Sequence, residues 1–164
     1  MKRLIFWPFN KKKQTKTTKK IIGRLERINI PSLEVNNILA KVDTGAYRGS
    51  IHVENIEEFE DKGNKKLSFY TNKGAEGGVR KCVVEQYREV KVRNPGIAYM
   101  KRYAIPAIIE LGNKKINVEL TLNNRSEMRY PVLLGRKYLK KCFIVDPEKK
   151  FTLVCPNNKV LNNK

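Results

Sequence analysis

Short apolar stretches run along this chain, most of them alternating with polar residues and separated by turn residues. Such alternation puts the apolar side chains on one face of a β-strand. Turns recur about every ten residues, a spacing typical of a small β-barrel or β-sandwich. The pattern predicts strands over residues 37–42, 49–53, 66–71, 79–84, 87–92, 103–111 and 116–122.

Outside these strands the pattern is less regular. Residues 54–63 are rich in acidic residues and are expected to form a loop, and residues 137–141 are expected to form a short helix. Residues 142–145 and 151–154 are predicted to pair as a terminal hairpin around Asp146-Pro147. Because helix signals are scarce, we assign the chain to the all-β class.

An acidic turn follows the strand over residues 37–42. Asp43 ends an apolar run and should be partly removed from water, which makes ionising the carboxyl group more costly. Thr44 can donate a hydrogen bond from its hydroxyl, and Gly45 allows a tight turn beside the acid. This arrangement suits a single carboxyl group held at the end of a sheet, although an ordinary Asp-Thr-Gly turn has the same sequence.

A second stretch, about ninety positions later, changes the interpretation. It reads Leu133-Leu134-Gly135-Arg136. An Asp-Thr-Gly-Ala followed by two aliphatic residues and Gly-Arg resembles the retropepsin-like aspartic proteases. Asp43, Thr44, Gly45 and Ala46 match the first motif of that family.

The closer resemblance is to a bacterial group often labelled "ATP-dependent zinc protease", which accompanies an ATP-grasp glutamate ligase. That group shows Ala-Lys-x-Asp-Thr-Gly-Ala, here residues 40–46, then Ile/Leu-His, here Ile51-His52. Its late motif matches Asn124, Arg125, Met128, Pro131, Leu133, Gly135 and Arg136. One departure is local, because the group has Thr-Ser soon after the first motif and this chain has Arg48-Gly49.

The resemblance implies a closed β-barrel, the lobe of an acid protease, with one lobe per chain. Asp43 would be the catalytic acid, with Thr44 and Gly45 shaping its turn. Ala46, Leu134, Gly135 and Arg136 would support the site, with no partner for Arg136 evident in the sequence. One Asp-Thr-Gly per chain implies that a homodimer supplies the second acid.

A predicted hairpin lies between residues 87–92 and 103–111, with Pro95-Gly96 at its centre. In retropepsins the hairpin at this place in the order closes over substrate as a flap. Candidate substrate-binding residues are therefore those at its tip and the basic residues beside it: Pro95, Gly96, Ile97, Arg88, Arg93 and Arg102. Each of these charges could equally belong to a solvated strand face.

The chain is strongly basic, with a formal net charge of +19. Residues 1–20 hold eight Lys or Arg and no acid, which leaves 27 basic and 16 acidic residues in the remainder. The positive electrostatic potential of such a chain favours polyanionic partners, but it does not indicate which kind. The resemblance implies a poly-glutamate tail on a ribosomal protein as the substrate and the ribosome as a further partner.

Cysteine and histidine are few. Cys82, Cys142 and Cys155 form no CxxC pair, which fits a reducing, cytoplasmic location. His52 is the only histidine, and the spacing supports no zinc site, so we predict no metal and no cofactor. The apolar run Leu4–Phe9 is too short to span a bilayer.

Three domain segments and three functions are expected. Residues 1–20 should be a disordered basic tail, 21–156 the protease domain and 157–164 a polar tail. The leading hypothesis is an aspartic endopeptidase. A non-catalytic basic β-domain that binds RNA or the ribosome is the alternative from another class, and a retropepsin-like fold without activity is the third.

Overall fold

The computed structural model describes residues 18–75, 77–93 and 99–153. Strands dominate these residues, with one short α-helix near the C-terminal end. The elements are β1 (Lys20–Ile22), β2 (Leu25–Ile30), β3 (Val35–Val42), β4 (Gly49–His52), β5 (Glu54–Asp61), β6 (Asn64–Asn72), β7 (Val79–Val84), β8 (Arg88–Val92), β9 (Met100–Leu111), β10 (Lys114–Asn123), β11 (Val132–Leu134), α1 (Arg136–Cys142) and β12 (Phe143–Val145).

Six strands close into a barrel in the order β10-β4-β11-β3-β2-β9, because β9 also pairs with β10. Closure gives each of these six strands a neighbour on both sides, so none has an open edge. Strand β8 pairs with β9 in addition. Alternating aliphatic side chains fill the interior, and Ile28, Ile51, Ile109 and Leu134 are all fully buried. The prediction of an all-β closed barrel with a short helix near the C-terminus is confirmed.

The hairpin that closes the barrel illustrates how local sequence forms the fold. Leu111 and Lys114 pair across a two-residue turn, and Gly112 within it has a φ of +57°. Glycine adopts this left-handed conformation without the steric penalty that a Cβ atom brings. The strands on either side then stay in register as far as Ala104 and Thr121.

Two sequence-based predictions are wrong. The acidic segment expected to be a loop is strand β5, which pairs with β6. Lysines across the hairpin neutralise its acids, since Lys65 lies 3.5 Å from Glu58 and Lys66 lies 2.8 Å from Asp61. Opposite charges facing each other across a strand pair stabilise the sheet, which residue composition alone does not reveal.

The predicted terminal hairpin is the second correction. Strand β12 pairs in parallel with β1, so that Ile144 lies opposite Ile21, and residues 151–153 form no strand. Residue 154 lies outside the described residues. Instead, the buried Glu26 carboxylate binds this segment through the backbone N–H of Thr152 at 3.1 Å and its hydroxyl at 2.6 Å. Within the described residues, no helix is long and apolar enough to cross a membrane.

Candidate active site

Asp43 lies directly after β3, where that strand runs parallel to β11. Val42 is paired with Leu134, and the Asp43 N–H donates to the Leu134 carbonyl at 3.0 Å. This bond continues the strand pairing by one residue and fixes the backbone of the acid. Asp43 is half-buried, whereas Thr44 and Gly45 are exposed. The acid therefore sits at an accessible end of a rigid strand pair.

The turn after Asp43 wraps around its carboxylate. Asp43 Oδ1 accepts hydrogen bonds from the N–H groups of Gly45 at 3.0 Å and Ala46 at 3.1 Å. These two bonds hold the carboxylate in one orientation. A Cβ atom at position 45 would come within 3.3 Å of Oδ1, so glycine suits this close approach. Oδ2 accepts no hydrogen bond from the residues that the structure describes.

Arg136 clamps the other side of this turn. Its Nη1 donates to the carbonyls of Thr44 at 3.0 Å and Gly45 at 2.7 Å, and its backbone N–H donates to Ala46 at 2.8 Å. These carbonyls are the partners that the sequence did not reveal. A Cβ atom on Gly135 would lie only 2.4 Å from the Arg48 carbonyl oxygen, so the two segments meet at this glycine.

Arg48, one of the two residues that differ from the motif of the bacterial group, is paired with Glu119 of β10. Arg48 Nε donates to Glu119 Oε2 at 3.0 Å, Arg88 Nε donates to Oε1 at 2.5 Å, and Lys137 Nζ lies 3.6 Å from Oε2. Burial alone favours the neutral acid. The hydrogen bonds from Arg88 and Arg48 and the charge of Lys137 outweigh it and hold the pKa of Glu119 below its ordinary value. We name Glu119, Arg48, Arg88 and Lys137 the Glu119 cluster.

His52 and Arg125 form a second polar group on the outer side of β4. The Arg125 N–H donates to His52 Nδ1 at 2.8 Å, and His52 Nε2 lies 3.3 Å from Glu54. Both ring nitrogens of His52 thus have partners. The Arg125 side chain donates to the Tyr130 carbonyl at 3.1 Å and lies 3.4 Å from Ser50 Oγ. Arg125 belongs to the late motif of the family, but the motif alone assigns it no role.

Arg102, on β9, lies two residues before Ala104, which pairs with Thr121 of β10, four residues before Arg125. Burial lowers the pKa of Arg102 below its ordinary value. Burial also lowers the pKa of Arg125, the positive charge of Arg102 adds to this effect, and the negative charge of Asp43 opposes it. Arg125 therefore interacts electrostatically with both Arg102 and Asp43.

The other predicted substrate-binding residues have varied positions. Strands β8 and β9 form the arms of the predicted hairpin, with Val92 opposite Met100. Pro95, Gly96 and Ile97 lie outside the described residues, and Arg93 is exposed just before them. Arg88 is held by Glu119. The charges of Arg102 and Asp43 both act on Arg125, while Arg88 belongs to the Glu119 cluster.

The described part of the chain offers no evident metal site. No cluster of three or more His, Cys, Asp or Glu side chains there could hold a metal ion. Cys82 is buried on β7, and that burial raises the pKa of its thiol. Cys142 ends α1, and Cys155 lies outside the described residues.

Comparisons with known proteins agree with this geometry. Residues 21–155 match the family described as "RimB-like: Retropepsin-like aspartic endopeptidase RimB". A crystal structure of a protein of unknown function from Legionella pneumophila has a similar fold, with a TM-score of 0.65 and 34% identity. That similarity covers 82% of this chain and 98% of the Legionella chain.

Longer relatives are also similar. Proteins named "Probable alpha-L-glutamate ligase" match from Shewanella halifaxensis, with 39% identity over 138 residues, and Shewanella pealeana, with 36% over 135 residues. Each match covers 81% of this chain but 30% of the relative, so the chain spans less than a third of their length. With the family match over 21–155, the chain belongs to the RimB-like family of retropepsin-like aspartic endopeptidases.

Proposed function

We propose that this chain is an aspartic endopeptidase that works as a homodimer and cleaves acidic, glutamate-rich peptide tails. The observation that carries the proposal is the Asp43 turn. Its carboxylate is oriented by the N–H groups of Gly45 and Ala46, and Arg136 braces the turn from the opposite side. A catalytic acid needs this kind of fixed orientation at an accessible surface.

The chemistry follows from pairing two such carboxyl groups. Two acids about 3 Å apart cannot both ionise, so they share one proton. The ionised Asp43 takes a proton from water as that water attacks the peptide carbonyl. The protonated Asp43 of the second copy donates its proton to the carbonyl oxygen. General acid–base transfer of this kind typically contributes about 10²–10⁴-fold to the rate.

The dimer is supported by the sheet of β1 and β12. These strands pair only with each other among the described strands, and Ile21 and Ile144 face one another in register. Both isoleucines are about half exposed, at 50% and 55%. Exposed apolar side chains on a two-stranded sheet favour association with another surface, here a second copy of the chain.

The substrate class is supported by charge and by the longer relatives. The chain has a formal net charge of +19, which attracts polyanionic peptides. Relatives named as glutamate ligases contain a segment similar to this chain. A ligase that adds glutamates and a peptidase that removes them would act on the same acidic tails. A cytoplasmic location, ribosome association and protease-domain limits at residues 21–156 remain predictions.

The decisive experiment compares Asp43→Asn with the wild type on an oligo-glutamate peptide. Asparagine keeps the shape of the side chain but cannot act as the base, so turnover should disappear while the circular dichroism spectrum stays unchanged. Asp61→Asn is the matched control, since it removes a carboxylate from the β5–β6 hairpin. Near-normal turnover by folded Asp43→Asn would refute the aspartic mechanism.

The substrate proposal needs a separate comparison. Oligo-glutamate and neutral peptides of equal length should be cleaved at two salt concentrations, because exposed charges are screened over ~10 Å at 0.1 M salt. We expect the acidic peptide to be cleaved faster than the neutral one, and this difference in rate should shrink as the salt concentration rises. Equal rates on both peptides would leave a general protease. Cleavage of neither, with salt-sensitive RNA binding, would favour the basic binding domain instead.

A further inference from the structure

We propose that Arg102 and Arg125 together form a subsite that binds a carboxylate of the substrate beside Asp43. The inference rests on the proposed function and assigns it two specificity-determining residues. The ligand of this subsite is the side-chain carboxylate of a glutamate or aspartate in a peptide.

The first support is that the charge of Arg102 is not matched by a carboxylate. Arg102 Nε is buried and has no hydrogen-bond partner in the described part of the chain, and Arg102 Nη2 reaches only the Met100 sulfur at 3.8 Å. Burial of a guanidinium group without a counter-ion is costly. An incoming carboxylate would supply the missing acceptor.

The second support is the contrast with other arginines. Arg48 and Arg88 are paired with Glu119, and Arg80 is paired with Glu34. Neither Arg102 nor Arg125 lies within ion-pair distance of an acid in residues 18–75, 77–93 and 99–153. Unlike these three paired arginines, Arg102 and Arg125 carry charges that no carboxylate of the described residues matches.

The third support is that Arg125 is held in a fixed orientation. Its Nε is anchored to the Tyr130 carbonyl at 3.1 Å, and its Nη1 lies 3.4 Å from Ser50 Oγ. A guanidinium group has five N–H donors, so these contacts leave several donors for a ligand. Arginine presents them in a planar fork that matches the two oxygens of a carboxylate.

The location places this pair near the proposed chemistry. Ser50 is paired with Leu133, which in turn is paired with Lys41, two residues before Asp43. Two strand spacings of about 5 Å separate Ser50 from Lys41. The pKa of Arg125 responds to the charges of both Arg102 and Asp43, which agrees with this proximity. A carboxylate held here would lie about three or four peptide residues from a bond attacked at Asp43.

The test compares cleavage of oligo-glutamate and oligo-glutamine peptides of equal length by the wild type, Arg102→Gln and Arg125→Gln. Each substitution should lower the preference for the acidic peptide, measured as the ratio of kcat/KM values, by about tenfold or more, as expected for a charge-assisted hydrogen bond. The loss should appear mainly in KM. Arg102→Lys, which keeps the charge without the fork, should retain part of the preference.

Arg80→Gln is the matched control, because Arg80 lies on β7, outside the six barrel strands, and is held by Glu34. It should leave the ratio of kcat/KM values unchanged. Thermal melting of each variant checks the fold, and Arg102→Gln provides an independent test if Arg125→Gln fails to fold.

Binding separates failure of this inference from failure of the proposed function. Fluorescence anisotropy with a labelled oligo-glutamate peptide should show at least tenfold weaker binding when Arg102→Gln is added to Asp43→Asn. If the wild type cleaves neither peptide, the proposed protease function fails and this binding measurement alone decides the subsite. An unchanged kcat/KM ratio in both folded variants, or unchanged binding, would overturn the subsite.

Discussion

Replacing Glu119 with glutamine should loosen the segment that follows the Asp43 turn. The Glu119 side chain is only 12% exposed and receives hydrogen bonds from Arg48 and Arg88, with Lys137 nearby. Glutamine keeps the size of the side chain but removes the charge that these three cations share. Arg48, which follows the Asp43 turn along the chain, would lose its carboxylate partner.

The expected magnitude lies between two limits. Exposed ion pairs contribute about 0–1 kcal/mol to stability, and breaking a fully buried pair costs about 3–5 kcal/mol. Glu119 is nearly buried but Arg48 and Arg88 are 28% and 57% exposed, so solvent screens much of the interaction. Glu119→Gln should therefore lower the free energy of unfolding by about 1–2 kcal/mol, equivalent to a Tm decrease of about 2–8 °C.

The pH dependence provides the sharper test. The pKa of Glu119 is lowered in the folded state, so its stabilisation is present above the unfolded pKa of about 4.3. That stabilisation is lost as the pH falls through the lower, folded pKa. The difference in unfolding free energy between wild type and Glu119→Gln should thus be full at pH 7 and shrink below about pH 4.

Urea unfolding at pH 7 and at pH 3, followed by circular dichroism, measures both effects. Glu89→Gln is the control, because its partner Lys101 is largely exposed and the pair should contribute little. The reasoning would be refuted if Glu119→Gln cost no more than Glu89→Gln at pH 7, or if its effect were the same at both pH values.

Three further predictions concern the turn, the dimer and the buried acid. Arg136→Gln should lower kcat at least tenfold, because it removes the hydrogen bonds to Thr44 and Gly45, and an unchanged kcat would contradict the clamp. Ile144→Lys should shift sedimentation toward monomer and reduce specific activity on dilution, whereas an active monomer would refute the dimer. Glu26→Ala should lower the unfolding free energy by about 2–4 kcal/mol, since it leaves buried donors unpaired, and an unchanged urea midpoint would refute this role.

Local sequence was sufficient for most of the strands and for the acidic turn. Alternating apolar residues and Gly112 specify the β9–β10 hairpin, because strand periodicity and turn geometry are properties of neighbouring residues. Asp43-Thr44-Gly45 likewise predicts a carboxyl group in a tight turn. The acidic strand β5 escaped prediction because its stabilising lysines lie on the next strand.

Tertiary structure alone decided which distant residues meet. Strand β12 pairs with β1, Arg136 reaches the carbonyls of the Asp43 turn, and Glu119 receives Arg48 from 71 positions away. The proximity of Arg102 to Arg125 also depends on barrel closure between β9 and β10. The sequence by itself determined the acid and most of the strands. Closure of the barrel determined which charged side chains surround that acid. These contacts could not be predicted locally, because contacts between distant segments leave no periodic pattern in the sequence.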